Sequence, residues 1–277
     1  MKKILSALIL SQSVFASPAP VPYKWGVYKP SELGGKKVII VDWFSAEGRT
    51  RLGRSKYTHD FFQMAHVYQP QINPVYATVA SAVVALNAMR LPKHTIPSQE
   101  ALELEKPKAL GGGRIPFPAY SQTTFLNEQT DKIKDRKTIL MQNATPENEN
   151  DKKAFRPGLG LTDLKSMLET VYHSKAVVTF ADAPAAAGAK KFREDLKQAL
   201  TDANSIILSN FKGDMLGAST EGTVSPLAAY DEKTDSVLIL DVTGHKNPWY
   251  WVPLTALYES MHTQYDGTYR GYIRVFE

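Results

Sequence analysis

Apolar residues are most concentrated in the first half of the chain over 77–86, where Val79, Ala80, Ala82, Val83, Val84, Ala85 and Leu86 follow a Pro-containing turn. Small and β-branched residues that are apolar nearly all round predict a buried helix beginning at Ala77 or Thr78. The N-terminus of such a helix, pointing out of a core, offers free N–H groups and a positive dipole end, which suits an oxyanion or a thiolate. Leu164, Met167, Leu168 and Val171 recur at i, i+3, i+4 and i+7, so 161–172 reads as an amphipathic helix with Thr162 as its cap. A second such helix covers 190–203, with Phe192, Leu196, Ala199 and Leu200 inward. Shorter helices are expected over 59–65, packing over a cleft, and over 253–263, where Pro253 occupies the first turn.

Strand patterns dominate the rest. They cover 37–43, 176–181 and 205–211, then a hairpin of 224–230 with 236–242 around the acidic turn 231–235, and finally 271–276, read as closing the sheet. The segment 17–35 is a Pro- and Gly-rich arm, and 91–122, with repeated Pro and the run Gly111-Gly112-Gly113, is a long surface excursion. Those glycines lack a following Lys-Ser/Thr and a preceding strand, so they read as a loop and not as a phosphate cradle. Helices first and a mostly antiparallel sheet afterwards make an α+β pattern with a cleft between the halves.

Composition narrows the functional classes. With 277 residues, 43% hydrophobic and 22% charged, the chain can bury a substantial core as one domain. The formal charge of +5 is spread over scattered Lys and Arg, which gives no stripe for nucleic acid. Residues 1–16 open with Lys2 and Lys3, continue through a short apolar stretch and end in Val14-Phe15-Ala16. That is the form of a secretory signal peptide, too short to span a bilayer. The expected division is a signal peptide over 1–16, an arm and strand over 17–56 and a catalytic-core-like domain over 57–277, with the mature chain exported to the periplasm or medium. There is no cysteine, hence no disulfide, no thiolate metal site and no thiol nucleophile. His59, His66, His94, His173 and His262 show no metal-ligand spacing, so neither a metal nor a cofactor is expected.

Two blocks carry a resemblance. Gln71 stands six residues ahead of Ala77, and Gln71, Asn73, Tyr76, Ala80, Ser81, Leu86 and Asn87 fit the pattern Q-x-N-x-x-[YF]-C-[GA]-x-A-S-x-x-x-x-L-N, with Ala77 at the Cys. Gly222, Ser225, Pro226 and Tyr230 fit G-H-x-S-P-x-x-x-Y, with Thr223 at the His, and are followed by Val237 to Val242 and by Trp251-Val252-Pro253. Phe125-Leu126-Asn127, the helix from Gly160, the strand ending at Phe211 and Arg270-Gly271-Tyr272 also match. From about Tyr57 onward the chain therefore resembles the phytochelatin synthases, and it stops where short prokaryotic members stop, without the Cys-rich tail of eukaryotic ones.

The resemblance implies a papain-like cysteine-peptidase fold and a family activity of γ-glutamylcysteinyl transfer on glutathione. It also implies a site in which Ala77 holds the nucleophile's position, Thr223 the base's, Asp241 the orienting acid's and Gln71 the oxyanion glutamine's. Such a site needs a thiolate, an imidazole to shuttle its proton and a carboxylate to orient the ring. A methyl group and a hydroxyl replace the first two, and loss of triad members removes most of the rate. Family members usually have an Arg soon after the strand at 208–211, a Gln after the next Leu-Gly and an Arg three residues past the catalytic Asp. Here those places hold Gly213 and Asp214, Ala218 and Gly244. Arg270, Lys246 and Tyr76 remain as candidate substrate-binding residues. The expected function is a pseudoenzyme that binds a γ-glutamyl peptide such as glutathione, or a protein partner, with a homodimer a further arrangement to consider. The alternative is an active transferase or hydrolase with a relocated nucleophile, for which Thr78, Ser81 and His245 are the candidates.

Overall fold

The computed structural model describes residues 26–97, 102–142, 158–265 and 267–277. The expected signal peptide and the first part of the arm lie outside them.

Seven strands form one sheet in which every pairing is antiparallel. In chain order they are β1 (Val41–Asp42), β2 (Lys175–Phe180), β3 (Ser205–Phe211), β4 (Thr223–Asp231), β5 (Ser236–Ile239), β6 (Tyr250–Pro253) and β7 (Gly271–Phe276). Across the sheet the order is β1-β6-β5-β4-β3-β7-β2. Helices cover both faces, so the central strands are buried on both sides and read as near-continuous apolar runs. Ile206 and Leu208 point into one core and Ile207 and Phe211 into the other, the period of two expected of a strand.

The first core is built on α3 (Ala77–Arg90), with α2 (His59–Ala65) and α4 (Leu161–Thr170) beside it. Every residue of α3 from Thr78 to Arg90 is buried, as its all-round apolar sequence requires. Arg90 ends the helix inside the protein, where its guanidinium donates to Glu277, the Tyr120 hydroxyl, the Tyr172 carbonyl and Ser174. A cation at that end also complements the helix dipole. The second core holds α5 (Ala185–Ala199) and α6 (Leu254–Met261). These two helices approach closely at Gly188, where a Cβ would stand 1.9 Å from the Tyr258 hydroxyl oxygen. The architecture is α+β and papain-like, a helical first half packed on a mostly antiparallel sheet.

Several expected boundaries are corrected. The strand over 37–43 divides: Lys36–Val38 pairs with Ser31–Leu33 in a small hairpin, and only Val41–Asp42 joins the main sheet. The cap of α4 is Gly160 and not Thr162, which lies inside the helix. Helix α5 starts at Ala185, directly after Pro184, because the run of alanines there is favourable helix sequence. The excursion over 91–122 contains a hairpin, Leu102–Glu105 with Arg114–Phe117, whose Leu102 and Leu104 sit opposite Phe117 and Ile115. Strand β7 does not close the sheet but lies between β3 and β2.

Candidate functional site

The segment entering α3 is tied to the far side of the sheet by its backbone. Gln71 N–H donates to the Val242 carbonyl at 2.8 Å, and the Tyr68 hydroxyl donates to the Asp241 carbonyl at 2.6 Å. Asn73 then accepts from the Val75 N–H through its side chain at 3.1 Å, an Asx turn that aims the chain into the helix. Ala77 is the first helical residue and the only one of α3 that is not buried. One turn deeper, Ser81 Oγ donates to the Val224 carbonyl at 2.8 Å, which fixes the start of β4 against α3. Leu240 N–H bonds the Pro226 carbonyl at 3.0 Å and Val242 N–H bonds Ser225 Oγ at 3.3 Å. These bonds bring the α3 N-terminus, Thr223 at the head of β4, Asp241 just past β5, and Gln71 into one region.

The side chains there are arranged for structure. Asp241 is fully buried: one carboxylate oxygen accepts from both the N–H (2.9 Å) and the hydroxyl of Thr243, and the other from Asn247 Nδ2 at 3.0 Å. Burial pushes its pKa up, against the pull of those hydrogen bonds. The Tyr250 hydroxyl, buried without an aligned hydrogen bond, lies near the same carboxylate, and burial followed by that charge drives its pKa well up. Thr223 is 4% exposed and its hydroxyl oxygen has no hydrogen-bond partner. Gln71 spends an amide N–H on the Pro74 carbonyl at 3.1 Å, within its own turn, and its Oε1 is buried and unpartnered. Since Pro74 O can only accept, that bond fixes which way the amide faces.

The substitute nucleophiles are committed as well. Thr78 Oγ1 donates to the Leu159 carbonyl at 2.6 Å and Ser81 Oγ to Val224, both from buried positions. His245 is exposed on the loop after Asp241. With Trp43, Tyr68, Gln71, Gly244 and Trp249 it lines a cavity of about 470 Å³ beside the α3 entry. The aromatic wall of that cavity is absent from the sequence reading, although Tyr68 and Trp249 flank the two matching blocks. Gly244 leaves it open: a Cβ there would stand 3.1 Å from Pro70 Cβ and 3.4 Å from the Tyr68 hydroxyl oxygen.

Of the candidate substrate-binding residues, Tyr76 is 8% exposed and packs in the core, and Lys246 is exposed on the loop with His245. Arg270 stands on the other side of Thr223. Its Nη1 donates to Thr263 Oγ1 at 2.9 Å and to the Gln264 carbonyl, and its guanidinium lies over the Tyr265 ring. Its Nη2 is 3.4 Å from where a Cβ on Gly222 would be. Burial lowers its pKa, partly offset by the charge of Asp214, yet no ion pair to it occurs among the described residues. The Nε and Nη2 atoms face Gly222, beside Thr223. Among the described residues no cluster of three or more His, Cys, Asp or Glu could hold a metal, and no helix is long and apolar enough to cross a membrane.

A glutamine ahead of a buried helix, with a later hairpin folded against that helix's first turn, stands in an α+β protein of the papain-like type. A family model described as phytochelatin synthase matches residues 36–272, and the chain belongs to that family. It is 38% identical over 85 residues to a glutathione gamma-glutamylcysteinyltransferase of Schizosaccharomyces pombe, covering 30% of this chain and 20% of that protein. Glutathione gamma-glutamylcysteinyltransferase 3 of Lotus japonicus is 36% identical over 84 residues, 30% of this chain and 18% of that one. Glutathione gamma-glutamylcysteinyltransferase 1 of Arabidopsis thaliana is 22% identical over 253 residues, 85% of this chain and 41% of that one. The matches thus span from under a fifth to about two fifths of these relatives' length.

Proposed function

We propose that this protein uses the phytochelatin-synthase scaffold to bind a γ-glutamyl peptide, of which glutathione is the type, without turning it over. The observation that carries the reading is that the hydroxyls next to Ala77 are already committed to backbone carbonyls. Ala77 and Thr223 stand at the nucleophile and base positions, Thr78 and Ser81 give their protons to backbone carbonyls, and both oxygens of Asp241 are occupied by Thr243 and Asn247. Ligand binding is supported by Arg270, a guanidinium beside Gly222 and Thr223 of the kind that pairs with a peptide carboxylate. The activity for which the relatives are named supplies the peptide class.

Calorimetric titration with glutathione tests the binding, and mass spectrometry of the same mixture tests turnover. The expected result is saturable binding that Arg270→Ala weakens at least tenfold, with no glycine released and no γ-glutamylcysteine units joined. Steady glycine release by the unmodified chain would return the site to the relocated-nucleophile reading and direct attention to Thr78, Ser81 and His245.

The signal-like N-terminus supports export as part of the same reading. Protein recovered from the periplasm or medium should have an intact mass that begins near Ser17, and a cytoplasmic chain retaining Met1 would refute export.

A further inference from the structure

Asp60 is the second residue of α2, has no exposed surface, and neither carboxyl oxygen has a hydrogen-bond partner. One turn on, Gln63 gives its amide N–H to the Ala203 carbonyl at 3.5 Å, and its own Oε1 is likewise buried and unpartnered. Three acceptor oxygens on one face of a short helix thus meet no donor. An ionised Asp60 would make this worse, since a buried unpaired carboxylate is among the costliest groups a protein can hold, whereas a protonated one supplies an O–H.

Among the described residues no cation pairs with Asp60. Asp202 and Arg274 act on Asp60 from the neighbouring segments, Asp202 against ionisation and Arg274 for it. Arg274 is already paired with Asp202 at 2.9 Å and also donates to Ser205 and Gln198. On β4, which packs against α2, Asp231 is held by Arg54, and on α3 Arg90 is held by Glu277. His59 and His66 are on α2 itself, and His66 sits against the Phe62 carbonyl. Burial, ahead of the Asp202 charge, pushes the Asp60 carboxyl up to about 8.

Phe61, the next residue, connects this acid to the cavity beside Gln71. Its ring packs against Trp43 at 6.3 Å and Trp249 at 6.1 Å between centroids, and both indoles line that cavity with Tyr68. We propose that α2 is an acid-tightened latch: the proton on Asp60 holds the helix in its seat, and rising pH shifts it toward an unseated state that loosens the aromatic wall of the cavity. The sign follows from linkage. The seated state binds a proton that the unseated, solvated Asp60 gives up, so the seated fraction is favoured most at acid pH. The balance then falls up to tenfold per pH unit between the ordinary carboxyl value of about 3.9 and the raised one. This mechanism is independent of whether the cavity binds a γ-glutamyl peptide.

Hydrogen exchange of the full chain, corrected for intrinsic rates, tests it. Protection of the amides over 59–65 should fall at least tenfold between about pH 5 and 8, relative to the amides of α5. In Asp60→Asn, which keeps the shape without the charge, that relative protection should not change with pH. Protection of α2 that follows α5 across the range, or an Asp60→Asn profile matching the wild type, would overturn the latch. If Asp60→Asn does not fold, carbon-13 titration of the wild-type Asp60 carboxyl decides the matter. A carboxyl still protonated near neutral pH supports the latch, and one titrating at about 4 ends it.

Discussion

The resemblance assigns Asp241 the orienting acid's place, and its carboxylate bonds are local ones. A carboxylate that orients an imidazole must present an oxygen to a ring N–H. Here Thr243 and Asn247 occupy both oxygens from the same loop, and the Thr223 hydroxyl has no hydrogen-bond partner. Rebuilding the chemistry therefore takes more than two substitutions. Ala77→Cys alone should give no turnover: the helix N-terminus favours a thiolate, but no group can protonate the leaving amine. Ala77→Cys with Thr223→His should release glycine from glutathione only weakly, because the new imidazole competes with Thr243 for Asp241. Adding Thr243→Ala removes the hydroxyl's bond to one carboxylate oxygen, leaving only the backbone N–H on it, and should raise the rate by about tenfold, a small part of the 10²–10⁴ that proton transfer by a positioned group contributes. Single-turnover glycine release measures all three, and equal rates in the single and double variants would remove Thr223 from the base position. At this scale the helix start at Ala77, six residues after Gln71, was legible because it follows a turn at fixed spacing within one block. The Thr243 and Asn247 bonds were not, since a side chain that turns back on its own loop leaves no periodicity.

Elements were legible where the apolar pattern runs unbroken over one element. Helix α2 and strands β3 and β7 run over the residues their patterns mark, and α3 starts at Ala77 because the turn through Asn73 and Pro74 leaves no earlier helical start. Pattern reading failed where short elements meet. Strand β6 occupies Tyr250–Pro253 directly before α6, so Pro253 both ends a strand and caps a helix, whereas the sequence offers only the Pro-led helix. Helix α1 (Ala46–Arg54) escaped because it is mostly polar; what holds it is the Ser45 cap and Arg54, which grips Asp231 of β4 through two hydrogen bonds. Neither the cap nor the ion pair creates an apolar period. The hairpin Leu102–Glu105 with Arg114–Phe117 alternates correctly but stands away from both cores, and its Pro116 argued against a strand.

For the whole molecule, the buried acids set the dependence of stability on pH. Asp60 and Asp241 both have raised folded-state values, dominated by burial. Such a group contributes stability that is fully present below its unfolded value of about 3.9 and is lost as pH rises through the folded one. For Asp60 that window reaches to about 8. Glu47, Asp135 and Glu169 act the other way, their values lowered first by hydrogen bonds from Arg51, Thr138 and Lys165 respectively. Asp231 joins them, because Arg54 and Thr234 outweigh the effect of its burial. These four contribute stability above the unfolded carboxyl value that disappears as pH falls through their own. The optimum should therefore lie on the acid side of neutrality. Between about pH 5 and 8 the free energy of unfolding should fall by up to 1.4 kcal/mol per pH unit for each buried acid that remains protonated. Urea denaturation of the wild type at both ends of that range measures the slope, and Asp60→Asn should remove the share that Asp60 contributes. A wild-type midpoint that does not change between the two would mean that the Asp60 carboxyl is already ionised in the folded protein, with solvent or a counter-ion reaching it.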